Sequence, residues 1–577
     1  MLNMNKPATD TIKAKYEAWL NDPLIDAATK EELRGIAGQE KEITDRFYRD
    51  LEFGTGGLRG VMGAGTNRLN AYTVGKATQG LANWLLAGAT DGGSPSVVIA
   101  HDSRNYSPEF ALDAALVLAG NGIKTYLFKS LRPTPQLSFA VRELKAASGI
   151  VITASHNPPE YNGYKAYGAD GCQLIPEEAE QVIASIGQIA SFDEIKRVCR
   201  EEAEGRGLLC WLGEDADQKF IDTVVAQSLN AELLRGGIGE KFSVVFTPLH
   251  GTGNMPVSEV LKKVGFSNVH IVPEQEQPDG YFSTVKSPNP EEREAFTLAI
   301  KLAQEVNADI IIGTDPDADR MGAVVKNNEG EYVVLTGNQS GALMVHYVLS
   351  QLKERGKLPE NGIVIKTIVT SELGADIARS YGAAVENTLT GFKYIGEKMT
   401  QYEKTGEHSF LFGYEESYGY LTGTYARDKD AVVAALLICE AAAYYSSQGK
   451  TLYDVLLELY AEFGVYLEAL ESRTLKGLDG VQKIGAIMDD WRNNPPTEIG
   501  GVKVAEVMDY TKGLDGLRPE NVLKYLREDG SWFCLRPSGT EPKIKVYFAV
   551  KGESQAAAAS MLQTLKTAVM ERVDRSE

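Results

Sequence analysis

One octapeptide in this chain reads Gly313-Thr314-Asp315-Pro316-Asp317-Ala318-Asp319-Arg320. Three carboxylates alternate directly after the apolar run Ile310-Ile311-Ile312, and Pro316 keeps the segment from forming a helix. An extended or turning backbone there can converge the three on one hard cation. An EF-hand is excluded: its sixth position would be Arg320 in place of Gly and its twelfth Lys326 in place of Glu. A solvated acidic loop is the plain alternative.

A haloacid-dehalogenase-type aspartate nucleophile is a poor fit, because no Thr or Val follows the paired Asp residues in that manner. A second segment, Thr153-Ala154-Ser155-His156-Asn157-Pro158-Pro159, also follows an apolar run. Ser155 suits a nucleophile and His156 a base or phosphate donor. Equally, Ser155 suits an N-cap or turn before a Pro-rich loop. No Gly flanks it in the G-x-S-x-G form of a hydrolase elbow. Downstream, Asn162-Gly163-Tyr164-Lys165 brings a lysine onto a glycine turn. A serine beside a metal site suggests phosphoryl transfer.

Arg536-Pro537-Ser538-Gly539-Thr540-Glu541-Pro542-Lys543 combines Arg, hydroxyls and glycine N–H into a cradle for a dianion, or forms a polar turn between strands. It lacks Walker A spacing and implies no nucleotide. Gly413-Tyr414-Glu415-Glu416-Ser417-Tyr418-Gly419 offers acceptors for sugar hydroxyls. Neighbouring glutamates rarely supply the opposed geometry of a glycosidase pair. Thr390-Gly391-Phe392-Lys393 and Arg427-Asp428-Lys429-Asp430 supply cations, or form surface charge pairs. In Phe53-Gly54-Thr55-Gly56-Gly57-Leu58-Arg59-Gly60, glycine lets backbone approach an anion and Arg59 can meet a phosphate; G-x-G-x-x-G spacing is absent. His101-Asp102-Ser103-Arg104, after the run at 97–100, is another candidate loop edge or a structural turn, and the isolated His250 reads as a loop-packing residue.

These loops need a scaffold. Apolar, mostly β-branched runs at 97–100, 149–152, 243–246, 310–312, 363–365 and 409–412 alternate with amphipathic stretches such as 110–118 and 295–306. That alternation predicts α/β units whose parallel or mixed sheets are covered on both faces, with ligands at the carboxyl ends of strands. The first 45 residues read as helical, broken at Asp22-Pro23, and 431–463 as a strongly helical run. Residues 543–548 alternate like a half-buried strand, so the C-terminal part reads as a separate α+β domain. At 577 residues the chain exceeds one core. The expected division is 1–205, 206–323, 324–465 and 466–577.

The formal net charge of −20 argues against general nucleic-acid or anionic-membrane binding. A phosphate site must then be a local basic pocket. Five scattered cysteines without C-x-x-C suggest neither a disulfide framework nor zinc, and fit a reducing compartment. Residues 1–10 lack a signal-peptide apolar core, and no apolar run reaches about 18 residues. A soluble cytoplasmic protein is expected.

Taken together, the segments resemble the α-D-phosphohexomutase family. T-A-S-H-N-P is similar to its phosphoserine loop, D-P-D-A-D-R to its metal loop, G-Y-E-E-S-Y-G to its sugar loop and R-P-S-G-T-E-P to its phosphate loop, in the family's order across residues 53–548. F-G-T-G-G-L-R-G and the extra N-terminal helix resemble the branch holding bacterial phosphoglucomutases and animal phosphopentomutase relatives. The resemblance implies four domains: three related α/β units and a C-terminal α+β domain. It implies that Ser155 carries a transferable phosphoryl group and that Asp315, Asp317 and Asp319 hold Mg²⁺ with a Ser155 phosphoryl oxygen. Arg59 and Arg320 would stabilise phosphoryl charge, with His156 and Lys165 as acid/base candidates. Glu415 and Ser417 would receive sugar hydroxyls, and Thr390, Gly391, Lys393 and Lys429 would orient the sugar. Arg536, Ser538, Gly539, Thr540 and Lys545 would hold the non-reacting phosphate.

The activity so implied interconverts α-D-glucose 1-phosphate and glucose 6-phosphate through glucose 1,6-bisphosphate, in a monomer or dimer. The E-E-S wording is similar to members that prefer glucose over mannose. A phosphopentomutase, phosphomannomutase or sugar-bisphosphate synthase on the same scaffold, a metal-dependent phosphatase using Ser155, and a silent sugar-phosphate sensor are the competing readings.

Overall fold

The computed structural model describes residues 9–54, 56–88, 94–475, 478–538 and 543–575. Among them, the apolar runs form four sheets. The first runs, edge to edge, Gly57–Val61, Tyr161–Tyr167, Ser148–Ile152, Ser96–His101, Lys124–Phe128 and Leu209–Leu212. The second runs Tyr332–Val334, Met321–Lys326, Ile310–Thr314, Val244–Thr247 and Val269–Ile271. The third runs Ala384–Thr388, Gly362–Thr367, Ser409–Glu415 and Gly419–Leu421.

One unit recurs in all three. Two parallel strands are joined by a third parallel strand, which turns back as an antiparallel hairpin. Ser148–Ile152 returns as Tyr161–Tyr167, Ile310–Thr314 as Met321–Lys326, and Ser409–Glu415 as Gly419–Leu421. The serine, aspartate and glutamate loops are therefore the same hairpin turn in three successive sheets, each at the carboxyl end of a buried strand. Ligands of open α/β sheets collect at that end. The first sheet extends to Leu209–Leu212 and the second takes in the whole of Met321–Lys326, a few residues past the divisions expected at 205 and 323.

Helices Thr9–Asn21, Ala27–Gly35 and Glu40–Phe47 precede the first sheet and bury their own small core of Ile12, Tyr16, Trp19, Leu33 and Phe47. The run 431–463, expected as one helical run, forms two helices, Ala431–Ser446 and Leu452–Phe463. Gly449 turns the chain at φ +77°, and Thr451 and Asp454 close a capping box on the second helix. Ala431–Ser446 is apolar on nearly every side because it packs against both the second and third sheets. Truncating a fully buried residue such as Leu436 there should cost about 2–5 kcal/mol.

The C-terminal sheet is wholly antiparallel, in the order Val465–Thr474, Lys543–Gly552, Trp532–Pro537, Leu523–Arg527, Val502–Asp509 and Glu498–Ile499. The strand expected to be half-buried at 543–548 is covered on both faces. Ile544, Val546, Phe548 and Val550 share a core with residues of helix Gln555–Arg575. Trp532, Cys534, Tyr547 and Ala549 cluster instead with Ile368, Val369 and Leu389 of the third unit. Arg536 and Lys545, directly opposed in register, continue that second face toward the cleft.

Candidate active site

The serine loop is held by a single buried arginine. Arg104 donates from Nη1 to the carbonyls of Pro158 (2.8 Å) and Tyr161 (3.0 Å), and from Nη2 to those of Ser155 (2.6 Å) and Asn157. Asp102 lies 3.3 Å from its Nε and the Phe282 ring covers its face. The grip matters because Ser155 stands at φ +53°, a left-handed conformation that a serine leaves unless it is constrained. Its N–H donates to Thr153 Oγ1 at 2.8 Å. Gly163 faces this loop so closely that a Cβ would meet the Thr153 carbonyl at 2.4 Å.

The aspartate loop closes on itself. Asp315 Oδ1 accepts the N–H of Asp319 (3.1 Å) and of Arg320 (3.0 Å), and Ala318 takes φ +48° to allow it. The His250 loop buttresses the turn: Thr252 N–H donates to the Pro316 carbonyl at 2.8 Å, while His250 is hydrogen-bonded to the Gln277 carbonyl and Thr284. The structural reading of His250 agrees with that placement.

The two loops meet. Ser155 Oγ lies 2.9 Å from Asp315 Oδ2 and 3.1 Å from His156 Nδ1. Asp315, Asp317 and Asp319 are all buried and each offers an oxygen within 4.8 Å of the others. Asp317 Oδ1 and Asp319 Oδ1 are buried without a hydrogen-bond partner. Unsatisfied carboxylate oxygens converging in a buried corner are the donor set of a hard divalent cation, so the residues present fit a metal.

Buried lysines offset part of this negative charge. Lys165 Nζ lies 2.7 Å from Asp317 Oδ2 and 3.2 Å from Asp319 Oδ2, and Lys429 Nζ 3.1 Å from Asp319 Oδ2. Burial opposes both ammonium groups, yet the aspartates outweigh it and raise both pKa values. The same lysines, against burial, hold Asp319 well below the usual carboxylate range. Burial, with the Arg320 and Arg59 charges, pushes the His156 imidazole well below its ordinary value and keeps it neutral at pH 7. Arg320 is paired with Glu291, and Arg59 donates to Asn157 Oδ1 at 3.1 Å.

The glutamate loop lies beside this corner. Glu415 Oε1 accepts the Gly391 N–H at 2.9 Å; Gly391 stands at φ +123°, which favours glycine. Burial pushes the Glu415 carboxyl up to about 7, against the pull of Lys429. Glu416 instead accepts from Thr367 and Thr370 and serves the loop itself. Ser417 is half-buried, and Thr390 Oγ1 is buried without a partner. Burial brings Lys393 down to about 8. Across the cleft, Arg536 Nε donates to Glu520 at 3.0 Å, and Ser538 N–H donates to the Lys543 carbonyl at 2.7 Å. Burial, then the nearby Arg320 and Arg536 charges, lower the Lys545 pKa. Gly539 and Thr540 lie outside the described residues.

Sequence reading missed several supports. Thr134 donates to Asp317 Oδ2 at 2.8 Å from 183 positions away. Tyr167 donates to Asp428, which flanks Lys429. Arg104, weighed toward a structural role within a candidate loop edge, organises the serine loop, and Glu520 occupies the clamp arginine. The repeated strand-plus-loop pattern marks the segment of Arg104 but not its grip on four distant carbonyls.

A three-unit α/β scaffold with repeated hairpin loops, closed by an antiparallel C-terminal domain, defines the class. The chain belongs to the phosphoglucomutase/phosphomannomutase family: family models for α/β/α domains I, II and III and the C-terminal domain match residues 50–192, 218–330, 336–463 and 484–565. It is accordingly a mutase, an isomerase. It is 40% identical over 516 residues to a phosphoglucomutase of Staphylococcus haemolyticus (87% of this chain, 91% of that one), and 38% over 544 residues to one of Staphylococcus aureus strain N315 (91% and 95%). The open form of parafusin, a phosphoglucomutase from Paramecium, shares the fold at TM-score 0.68 and 18% identity (91% of this chain, 95% of that one). A phosphoglucomutase/phosphomannomutase family protein from Burkholderia thailandensis does so at 0.66 and 20% (90% and 97%). Among the described residues no helix is long and apolar enough to cross a membrane.

Proposed function

We propose that the protein interconverts α-D-glucose 1-phosphate and glucose 6-phosphate through phospho-Ser155 and a bound glucose 1,6-bisphosphate. The observation that carries this reading is Ser155 Oγ at 2.9 Å from the buried aspartate cluster, together with a second, separate basic clamp at Arg536 and Lys545. Two anion sites suit a substrate that carries two phosphates midway through the reaction.

In the first transfer the bond between phosphorus and Ser155 Oγ breaks and one to the free sugar hydroxyl forms. The hydroxyl proton leaves to a base and Ser155 Oγ is later reprotonated. Lys165 is charged and suits the donor role; neutral His156, next to Oγ, suits the acceptor role. Arg59 and Arg320 neutralise charge on the transferring group. The bisphosphate then reorients; the bond from its other phosphorus to the sugar oxygen breaks, that oxygen takes a proton, and Ser155 Oγ gives up its own as the phosphoryl group returns to it, while Arg536, Ser538 and Lys545 hold the phosphate that stays. Glu415, Ser417 and Thr390 accept or donate to sugar hydroxyls in either orientation. Asp315, Asp317 and Asp319 would hold Mg²⁺, whose Lewis acidity supplies charge neutralisation at the phosphoryl oxygens.

The test is a panel of glucose, mannose and ribose 1-phosphates with Mg²⁺ and trace glucose 1,6-bisphosphate, following isomers and free phosphate together. Fast isomerisation of the glucose compound without free phosphate is expected. Preference for the ribose compound by orders of magnitude would move the reading to a pentomutase. Stoichiometric free phosphate would replace the mutase by a phosphatase.

A further inference from the structure

The C-terminal domain touches the first domain through an arginine that no part of the site above uses. Arg518 Nε lies 2.9 Å from Glu177 Oε1, on helix Pro176–Gly187 of the first domain. The same guanidinium meets both carboxylate oxygens of Glu397, on helix Phe392–Thr405 of the third domain, at 2.5 and 2.7 Å. One side chain thus joins three domains. Among the described residues, it makes the one ion pair between the C-terminal domain and the first.

The arm that carries it is built. Asp515 and Gly516 turn at φ +52° and +77°, and Leu517 N–H donates to the Leu514 carbonyl at 2.8 Å. Leu514, Leu517 and Tyr394 pack on the Ile368, Val369, Leu389 cluster that seats the C-terminal sheet. Two residues beyond Arg518, Glu520 holds Arg536 of the clamp. Lys393, whose ammonium lies over the Tyr394 ring on one side while Arg518 approaches it within 5.9 Å, starts the same helix that carries Glu397. The three-way bridge therefore stands at the rim of the cleft between the clamp and the sugar loop.

A bidentate Arg–carboxylate pair is directional as well as attractive, and a second carboxylate on the remaining N–H leaves the guanidinium little freedom. We infer that Arg518 is a positioning residue for the mutase reaction: bound to Glu177 and Glu397, it holds the C-terminal domain across the cleft so that the doubly phosphorylated sugar stays enclosed between its two transfers. This rests on the mutase reading above. A sugar bisphosphate that escapes leaves Ser155 without its phosphoryl group, and that enzyme molecule stops until a bisphosphate restores it. The bridge should therefore set how many turnovers one phosphoryl charge supports, more than the speed of each.

The experiment uses full-length enzyme charged on Ser155, freed of excess glucose 1,6-bisphosphate and given glucose 1-phosphate with Mg²⁺. Product formed per phosphoserine before the reaction stalls is counted. Arg518→Met, which keeps the stem and removes the charge, is expected to complete about three- to fivefold fewer turnovers and to release the missing phosphoryl groups as free bisphosphate. Added glucose 1,6-bisphosphate restores its rate. Glu397→Gln is expected to act in the same direction, and Arg518→Lys to recover part of the loss. A variant that merely misfolds in part would lose rate without leaking bisphosphate. Turnovers per charge equal to wild type in Arg518→Met overturn the inference. A wild-type enzyme that does not isomerise overturns the mutase reading itself, in an arm that contains no variant.

Discussion

The cleft has two walls built by different means. The serine–aspartate corner is buried, and its parts are locked by polar groups that have no water to turn to: Arg104 on four carbonyls, Lys165 and Lys429 on the aspartates, and the Thr134 hydroxyl on Asp317. The clamp wall is a strand pair whose register places Arg536 opposite Lys545, on a domain joined to the rest by an apolar seat and half-exposed ion pairs. Breaking a buried, paired charge leaves its partner stranded, which costs about 3–5 kcal/mol, whereas an exposed pair is worth about 0–1 kcal/mol. The corner is thus held by the costlier contacts and the clamp wall by the cheaper ones, so the corner should be the more rigid of the two.

Variants that break the corner should cost most. Ser155→Ala removes the phosphoryl acceptor and is expected to lower kcat by roughly four orders of magnitude or more, with no labelled phosphoenzyme detectable by mass spectrometry. Asp317→Asn should lower activity about a hundredfold or more and weaken Mg²⁺, read as the shift in metal concentration for half activity. Arg104→Lys cannot reach four carbonyls at once; kcat should fall about 10–100-fold through displacement of Ser155, with KM nearly unchanged. Equal falls in all three when measured against Arg536→Met would erase the contrast between the walls. Arg536→Met itself is expected to raise KM for glucose 1-phosphate about tenfold with a smaller change in kcat, checked by initial rates.

The smallest effect is on stability. Glu415 has its pKa raised to about 7 in the folded chain, so between its ordinary value and about 7 the folded state binds more protons than the unfolded one. Stability should then fall as pH rises through that window, by roughly 3 kcal/mol at most from this group. Glu415→Gln removes the slope, so its melting temperature should gain on wild type at pH 8 and not at pH 5. A parallel shift at both pH values would mean that Glu415 stays ionised.

Much of the site was legible because its chemistry is local. Three alternating aspartates around a proline, a serine loop after a buried strand and the Arg-Pro-Ser-Gly-Thr motif each point to a candidate role within eight residues. The supports were not legible, because each joins positions far apart in the chain: Thr134 to Asp317, Tyr167 to Asp428, Arg518 to Glu177. The helical run at 431–463 shows the same limit on a smaller scale, since periodicity continues across Gly449 while the backbone does not.

By itself the sequence determined which side chains carry charge, which runs become buried strands, and that the motif-bearing loops follow those strands, because hydrophobic periodicity and turn chemistry act over a few residues. Only the tertiary structure decided that three hairpin turns from separate sheets meet at one point. It also decided which lysine neutralises which aspartate, and that burial keeps His156 neutral and moves Glu415 toward neutrality. Those outcomes depend on distance and on exclusion of water, and neither quantity exists until the domains have packed.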